Sequence, residues 1–212
     1  MAKQTGRKIQ QSREESQEVT LVMVFPGQPS DLSVLAESLA KIPERSISTF
    51  PVVSVFGPDA GETESSLLSL PVYTRVVHRE VRSGHSDPWQ LVRQGLEKVS
   101  TRFAAVLFPH LMSRPFQLAE LLSFKSESPG WDQTVWLPVF SDTSYLQESG
   151  RDGIPFIILP VDFGLYLSDT LKGEPFNVGS LMEFCRKIDE TVNPVRFNQP
   201  DPFVVPVSSK KK

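Results

Sequence analysis

Val19-Thr20-Leu21-Val22-Met23-Val24-Phe25 is an almost unbroken apolar run that stops at Pro26-Gly27-Gln28-Pro29. It lacks the in–out alternation of a strand with one wet face. It therefore predicts a strand buried on both faces, as in a parallel sheet. After the break, Ser30 or Asp31 is placed to cap a helix whose apolar stripe is Leu32, Leu35, Ala36, Leu39 and Ile42, and Pro43 ends it.

The strand–helix unit then recurs. Val52-Val53-Ser54-Val55-Phe56 predicts a second strand, Gly57-Pro58-Asp59-Ala60-Gly61 a turn, and residues 62–70 a short helix. Residues 72–77 read as a third strand and residues 79–86 as a polar loop. Asp87-Pro88-Trp89-Gln90 opens a helix: Asp87 caps, Pro88 takes the first helical position, and Gln90 sits where a capping box closes. Its inner stripe is Leu91, Val92, Gly95, Leu96 and Val99. Phe103-Ala104-Ala105-Val106-Leu107-Phe108 predicts a fourth buried strand, and residues 115–124 another helix. Farther on, residues 134–140 and 156–161 read as strands and residues 179–191 as a helix with Leu181, Met182, Phe184, Cys185 and Ile188 inward. The proline-rich stretch 200–206 is excluded from a central strand and reads as an extended arm. This order implies one α/β domain with a mainly parallel central sheet and helices on both faces.

Composition agrees. The chain's 212 residues suit one domain, and 39% hydrophobic with 22% charged residues is a globular balance. The domain is read as residues 18–207, between a polar, disordered tail at 1–17 and a basic tail at 208–212. A net charge of −3 argues against a nucleic-acid partner, which needs a basic surface. The polar N-terminal stretch has no signal-peptide core, and the longest apolar runs fall far short of the roughly 20 residues of a membrane span. The single cysteine, Cys185, forms no C-x-x-C pair and reads as a small buried residue. Together these predict a cytoplasmic protein.

Chemistry is sparser. The chain has no G-x-x-x-x-G-K-[ST], no G-x-G-x-x-G and no H-E-x-x-H. Gly84-His85-Ser86-Asp87 is followed by Pro88, which breaks a hydrolase elbow, and Ser86, Asp87 and His110 do not make a usable triad in the order serine, acid, histidine. His78, His85 and His110 lack metal-ligand spacing. In an open parallel sheet, ligands bind beyond the carboxyl ends of the strands. That places a site near residues 25–28, 56–61, 78–86 and 108–113.

Several of these phrases, in this order, resemble a family 2 glycosyltransferase on the glycosyltransferase-A (nucleotide-diphospho-sugar transferase) fold. The opening strand runs into Pro26, and Leu35-Ala36-Glu37-Ser38-Leu39 matches an "ESL" phrase. Gly57-Pro58-Asp59-Ala60-Gly61-Glu62-Thr63 stands where the family has D-D-G-S-x-D-G-T; it keeps glycines and loses the paired acids. Arg93-Gln94-Gly95-Leu96 approximates R-N-x-G-L. Phe108-Pro109-His110 stands where the family has D-x-D, the carboxylates that hold a divalent metal on the sugar-nucleotide diphosphate. Phe176-Asn177-Val178-Gly179 stands near the family's late catalytic acid without an acid, and Asp162, Asp169 and Glu174 nearby do not match.

The resemblance implies a degenerate, pseudoenzyme-like transferase domain with a nucleotide sugar as ligand. It implies neither a metal site nor a cofactor. The nucleotide-sugar-binding candidates are Pro26, Gly57, Asp59, Arg82, Arg93 and His110, and no catalytic residue is assigned. Two alternatives stay open: a metal-independent hexosyl transferase whose phosphates meet Arg79, Arg82 or Arg93, and a non-catalytic interaction or structural α/β domain.

Overall fold

The computed structural model describes residues 19–27, 32–42, 51–70, 77–112, 115, 118, 139–140, 155–177, 180–181, 184 and 204–205. Its centre is a five-stranded sheet of β1 (Val19–Phe25), β2 (Pro51–Phe56), β3 (Val77–Arg82), β4 (Phe103–Leu107) and β6 (Phe156–Pro160), in the order β3-β2-β1-β4-β6. The first four strands are parallel, and β6 runs antiparallel to β4. Every residue of β1 is buried because it lies between β2 and β4 and is covered on both faces.

Alternate residues of β1 supply two separate cores. Leu21, Met23 and Phe25 pack with Leu35 and Leu39 of α1 (Ser33–Ala40) and Leu67 of α2 (Gly61–Leu68). Val22 and Val24 pack with Trp89, Leu91, Val92 and Leu96 of α3 (Pro88–Leu96) and with Phe163 and Leu167 of α4 (Val161–Thr170). The helices are thus layered on both faces of the mainly parallel sheet, as the apolar runs predict.

α3 approaches the sheet closely because Gly95 has no side chain. A Cβ there would lie 2.5 Å from Val22 Cγ1 and 2.9 Å from Val55 Cγ2. The glycine of the R-N-x-G-L-like phrase therefore has a packing role here. Asp87 caps α3 as expected, its Oδ1 accepting from Gln90 N at 2.8 Å with Pro88 in the first turn.

Four readings need correction or relocation. β3 occupies Val77–Arg82, most of which reads as a polar loop in sequence; the expected strand at 72–77 otherwise lies outside the described residues. Among the described residues β3 is the sheet's edge, paired only to β2, and charges there protect an edge from pairing with another chain. α1 starts with Leu32 as its N-cap, with no side-chain cap, while Ser30 and Asp31 lie outside the described residues. α4 is a helix the sequence reading did not find. Its mid-helix Gly164 and aromatic content mask a helix that packs tightly on α3, where an added Cβ would lie 2.7 Å from Leu96 Cδ1. Finally, Val204–Val205 forms β7, pairing in parallel with β5 (Val139–Phe140) in a separate two-stranded sheet. Of the stretch 200–206 only residues 204–205 are described, and they pair outside the central sheet.

The tails at 1–17 and 208–212, Cys185 and most of 115–124 and 179–191 lie outside the described residues. Leu181 and Phe184 are described, and both are buried.

Candidate functional site

The chain builds β1, β2 and β3 outward in one direction and then returns to lay β4 on the other side of β1. At such a reversal, α/β sheets bind ligands in the crevice beyond the carboxyl ends of the two strands, here β1 and β4. The registers show where it opens. The β1–β2 pairing runs to Phe25↔Phe56, but the β1–β4 pairing ends at Met23↔Leu107. Beyond that point β1 continues into Pro26, while β4 turns into the 3-10 helix Pro109–Leu111.

One wall of the crevice is tied together by backbone. Gly57 N donates to Phe25 O at 2.8 Å, and Ser83 N donates to Phe56 O at 2.8 Å. Gly57 is a close-approach glycine, since a Cβ there would meet Pro26 O at 2.5 Å. Beneath this wall the rings of Phe25 and Phe56 stack at 5.3 Å, 10° from parallel, and both are buried. Pro26 is half-buried at the rim, Asp59 is exposed in the turn after β2, and Ser83 is nearly buried with its Oγ accepting from His85 N at 2.9 Å.

The opposite wall carries His110 on the turn after β4. Its ring lies edge-on to Phe108, with centroids 5.8 Å apart. His110 is exposed, yet partial loss of hydration lowers its pKa below the ordinary 6.5. Phe108 is buried, so the position resembling D-x-D presents an imidazole and no carboxylate. Among the described residues, no group of three His, Cys, Asp or Glu side chains gathers as a metal site.

The six sequence candidates do not all converge. Pro26, Gly57, Asp59 and His110 lie at the carboxyl rim. Arg82 is the last residue of β3 rather than a loop residue. Its side chain is 78% exposed, and Nη2 bonds Glu64 Oε1 of α2 at 2.7 Å. Arg93 lies on the outer side of α3, paired to Asp169 of α4 and to Glu97 at 3.1 Å. Arg79 also belongs to β3, and its Nη1 donates to Lys98 O at 3.2 Å, past the far end of α3 from the rim. Asp162 sits in the first turn of α4, which follows the end of β6 paired to Phe103, so it too lies at the opposite end of the sheet.

Sequence reasoning did not anticipate an aromatic wall on the α3 side. Phe176 packs between Trp89 and Phe108, with both centroid distances 4.4 Å. Nor did it foresee that Asn177 caps the next helical turn, with Oδ1 accepting from Ser180 N at 2.9 Å. The signal for the second was present: Asn three residues before Ser180 is N-cap chemistry.

No protein-family model matches the chain, and no curated protein matches it in sequence. Solved structures do. A mannosyltransferase, PcManGT from Pyrobaculum calidifontis, solved with GDP-Man and Mn2+, superposes with a TM-score of 0.54 at 12% identity, over 92% of this chain and 58% of that one. This chain thus spans less than two thirds of that protein's length. A cytidylyltransferase from Leptospira borgpetersenii serovar Hardjo-bovis gives a TM-score of 0.47 at 12% identity, over 88% of this chain and 79% of that one. The 4-diphosphocytidyl-2C-methyl-D-erythritol synthase from Anaerococcus prevotii gives 0.49 at 8%, over 90% and 87%. At such identities the likeness speaks to fold alone, and that fold is a glycosyltransferase-A-like α/β domain.

Proposed function

We propose that this is a degenerate family 2 glycosyltransferase-like domain, spanning residues 18–207, that binds a nucleotide sugar at the carboxyl rim without a divalent metal. The observation that carries the reading is the end of β4. It borders β1 at the chain reversal, where the diphosphate of a sugar nucleotide meets a metal held by carboxylates in the family resembled. Here it ends in buried Phe108, Pro109 and the imidazole of His110. Oxygen ligands for Mg²⁺ are not supplied by those side chains. Pro26 and Gly57 would border the nucleoside, and Asp59 and His110 would offer hydrogen bonds across the crevice. Arg82, the last residue of β3, keeps donors left over after its bond to Glu64.

A second reading has its own support. Arg93, the other arginine among the sequence candidates, is occupied by Asp169 and Glu97 away from the rim. A domain whose cations brace its scaffold suits a non-catalytic interaction or structural role.

Calorimetry with UDP- and GDP-sugars, in Mn²⁺ and in EDTA, separates the two. Metal-independent binding supports the first reading. It should appear in thermal melts as about 2.7 kcal/mol of added stability at 100 times Kd. Binding abolished by EDTA refutes metal independence, and no binding to any nucleotide sugar leaves the scaffold reading.

A further inference from the structure

Phe176 belongs to a short segment, residues 171–177, that leaves α4 and crosses the α3 side of the rim. Its two ends are anchored: Leu171 and Phe176 are buried, while residues 172–175 between them are exposed. Leu171 N closes α4 on Leu167 O, and Glu174 N and Asn177 N bond to carbonyls within the segment itself. Among the described residues, the hydrogen bond that reaches its exposed middle from elsewhere in the chain comes from Asp87. Gly173 N donates to Asp87 Oδ2 at 2.8 Å, and Gly173 holds a left-handed φ of +85°. The other carboxylate oxygen caps α3 through Gln90 N. One carboxylate therefore fastens the start of one helix to the turn that follows another.

What the segment covers adjoins the candidate site. Phe176 fills the space between Trp89 and Phe108, and Phe108 carries His110 against its edge. Trp89 is fully buried, yet among the described residues its Nε1 has no hydrogen-bond partner. A buried N–H left unpaired makes the closed arrangement less stable than its apolar packing suggests. A glycine hinge, one exposed polar fastening and an apolar plug over an orphaned donor are the parts of a closure that opens locally.

We propose that residues 171–177 form a latched strap over the β4 side of the crevice, with Asp87 as the latch and Phe176 as the plug. Release of the Asp87–Gly173 bond swings Phe176 out, admits solvent to Trp89 Nε1 and widens the crevice beside His110. The strap controls access to the rim whatever ligand the rim takes, so its test needs no nucleotide sugar.

The latch can be cut without uncapping the helix. Asn caps helices as well as Asp, so Asp87→Asn preserves the bond from Gln90 N through its one oxygen. Its amide then faces Gly173 N as donor against donor. Gly173→Ala attacks the same turn from the other side, because an L side chain is strained at that φ. The experiment is hydrogen exchange by NMR across low concentrations of denaturant. It is paired with acrylamide quenching of Trp89 in full-length chain carrying Trp131→Phe and Trp136→Phe.

The proposal expects Gly173, Glu174 and Asn177 amides in the unlatched-capable parent chain to exchange by a local opening insensitive to denaturant. Both variants should then speed that exchange and raise Trp89 quenching by roughly three- to tenfold, the scale of one partly exposed hydrogen bond, while β1 and β4 amides keep their protection. The idea is overturned if those amides exchange only through the global, denaturant-sensitive unfolding that governs β1. It is equally overturned if both variants leave Trp89 quenching unchanged.

Discussion

Replacing Gly57 with alanine tests the geometry of the crevice wall. An ideal Cβ at this position lies 2.5 Å from Pro26 O, 3.1 Å from Pro26 C and 3.3 Å from Phe25 O. All three obstacles are backbone, so no side-chain rotation relieves them. The two chain segments must part at the rim, and the bond from Gly57 N to Phe25 O is the first casualty. That bond is worth about 0.5–1.5 kcal/mol, and forced overpacking typically adds about 1–3 kcal/mol. Restricting the unfolded chain returns about 0.4–1 kcal/mol. The balance is a net loss of about 0.5–4 kcal/mol. For a chain of this size, at about 2–4 °C per kcal/mol, Tm should fall by roughly 1–16 °C. Gly61→Ala is the internal control. It lies four residues on, at the start of α2, with nothing within 4 Å of its Cβ. There the same substitution should raise Tm slightly. Differential scanning calorimetry on both variants decides the matter. An unchanged or higher Tm for Gly57→Ala would refute the close-approach argument and leave Gly57 to be explained by ligand access alone.

The remaining expectations follow from the same geometry. Gly95→Ala gains about 0.8–1 kcal/mol of helix propensity but presses on the stiff side chains of Val22 and Val55; overpacking should win, lowering the urea midpoint, and a higher midpoint would count against it. Adding Val22→Ala to Gly95→Ala should cost less than the sum of the two single changes, as a double-mutant cycle will read. Arg82→Ala should cost about 1 kcal/mol, because the guanidinium is 78% exposed, which keeps the pair weak, while Glu64, only 15% exposed, loses its partner. The same change should weaken a bound UDP-sugar by about 1.5–3 kcal/mol, and unchanged calorimetric affinity removes Arg82 from the site. His110, with its folded pKa depressed, binds fewer protons folded than unfolded just below pH 6.5. Its contribution is therefore complete above about pH 6.5 and is lost as pH falls through that value toward the lowered folded one. His110→Gln should flatten the acid side of the Tm–pH profile, and a profile unchanged by the substitution contradicts the partial burial.

The strands that the sequence announces are those whose environment is uniform. β1, β2 and β4 are covered on both faces, and a residue buried on either side of a sheet must be apolar, so their runs are legible without knowing the partner strands. β3 has one neighbouring strand among the described residues, and its charges reflect exposure at an edge rather than absence of a strand. α4 failed for a different reason. Gly164 disfavours a helix when read locally, yet the missing side chain is what lets α4 lie against Leu159 and Leu96. Tertiary packing outweighs the propensity cost of about 1 kcal/mol, and a single sequence does not record the surface against which a helix will pack.

The same distinction governs the site. The rim positions Pro26, Gly57, Asp59 and His110 were legible because topology alone sends the ends of parallel strands to one edge. Arg82 and Arg93 were chosen for their charge, and charge does not say which way a side chain leaves its element. In β3, Val81 packs on the α3 side, so Arg82 turns to the opposite face and meets Glu64. On α3, Arg93 falls beside α4, a helix absent from the sequence reading, and is taken by Asp169. Glycines that resemble a transferase's loop phrases turn out to hold tight contacts: Gly57 brings two strand ends together and Gly95 seats a helix. None of those contacts passes through a side chain at Phe108, Pro109 or His110, so the packing at the rim does not depend on the groups that would meet a ligand there. Fold and ligand binding at this rim therefore call for separate tests.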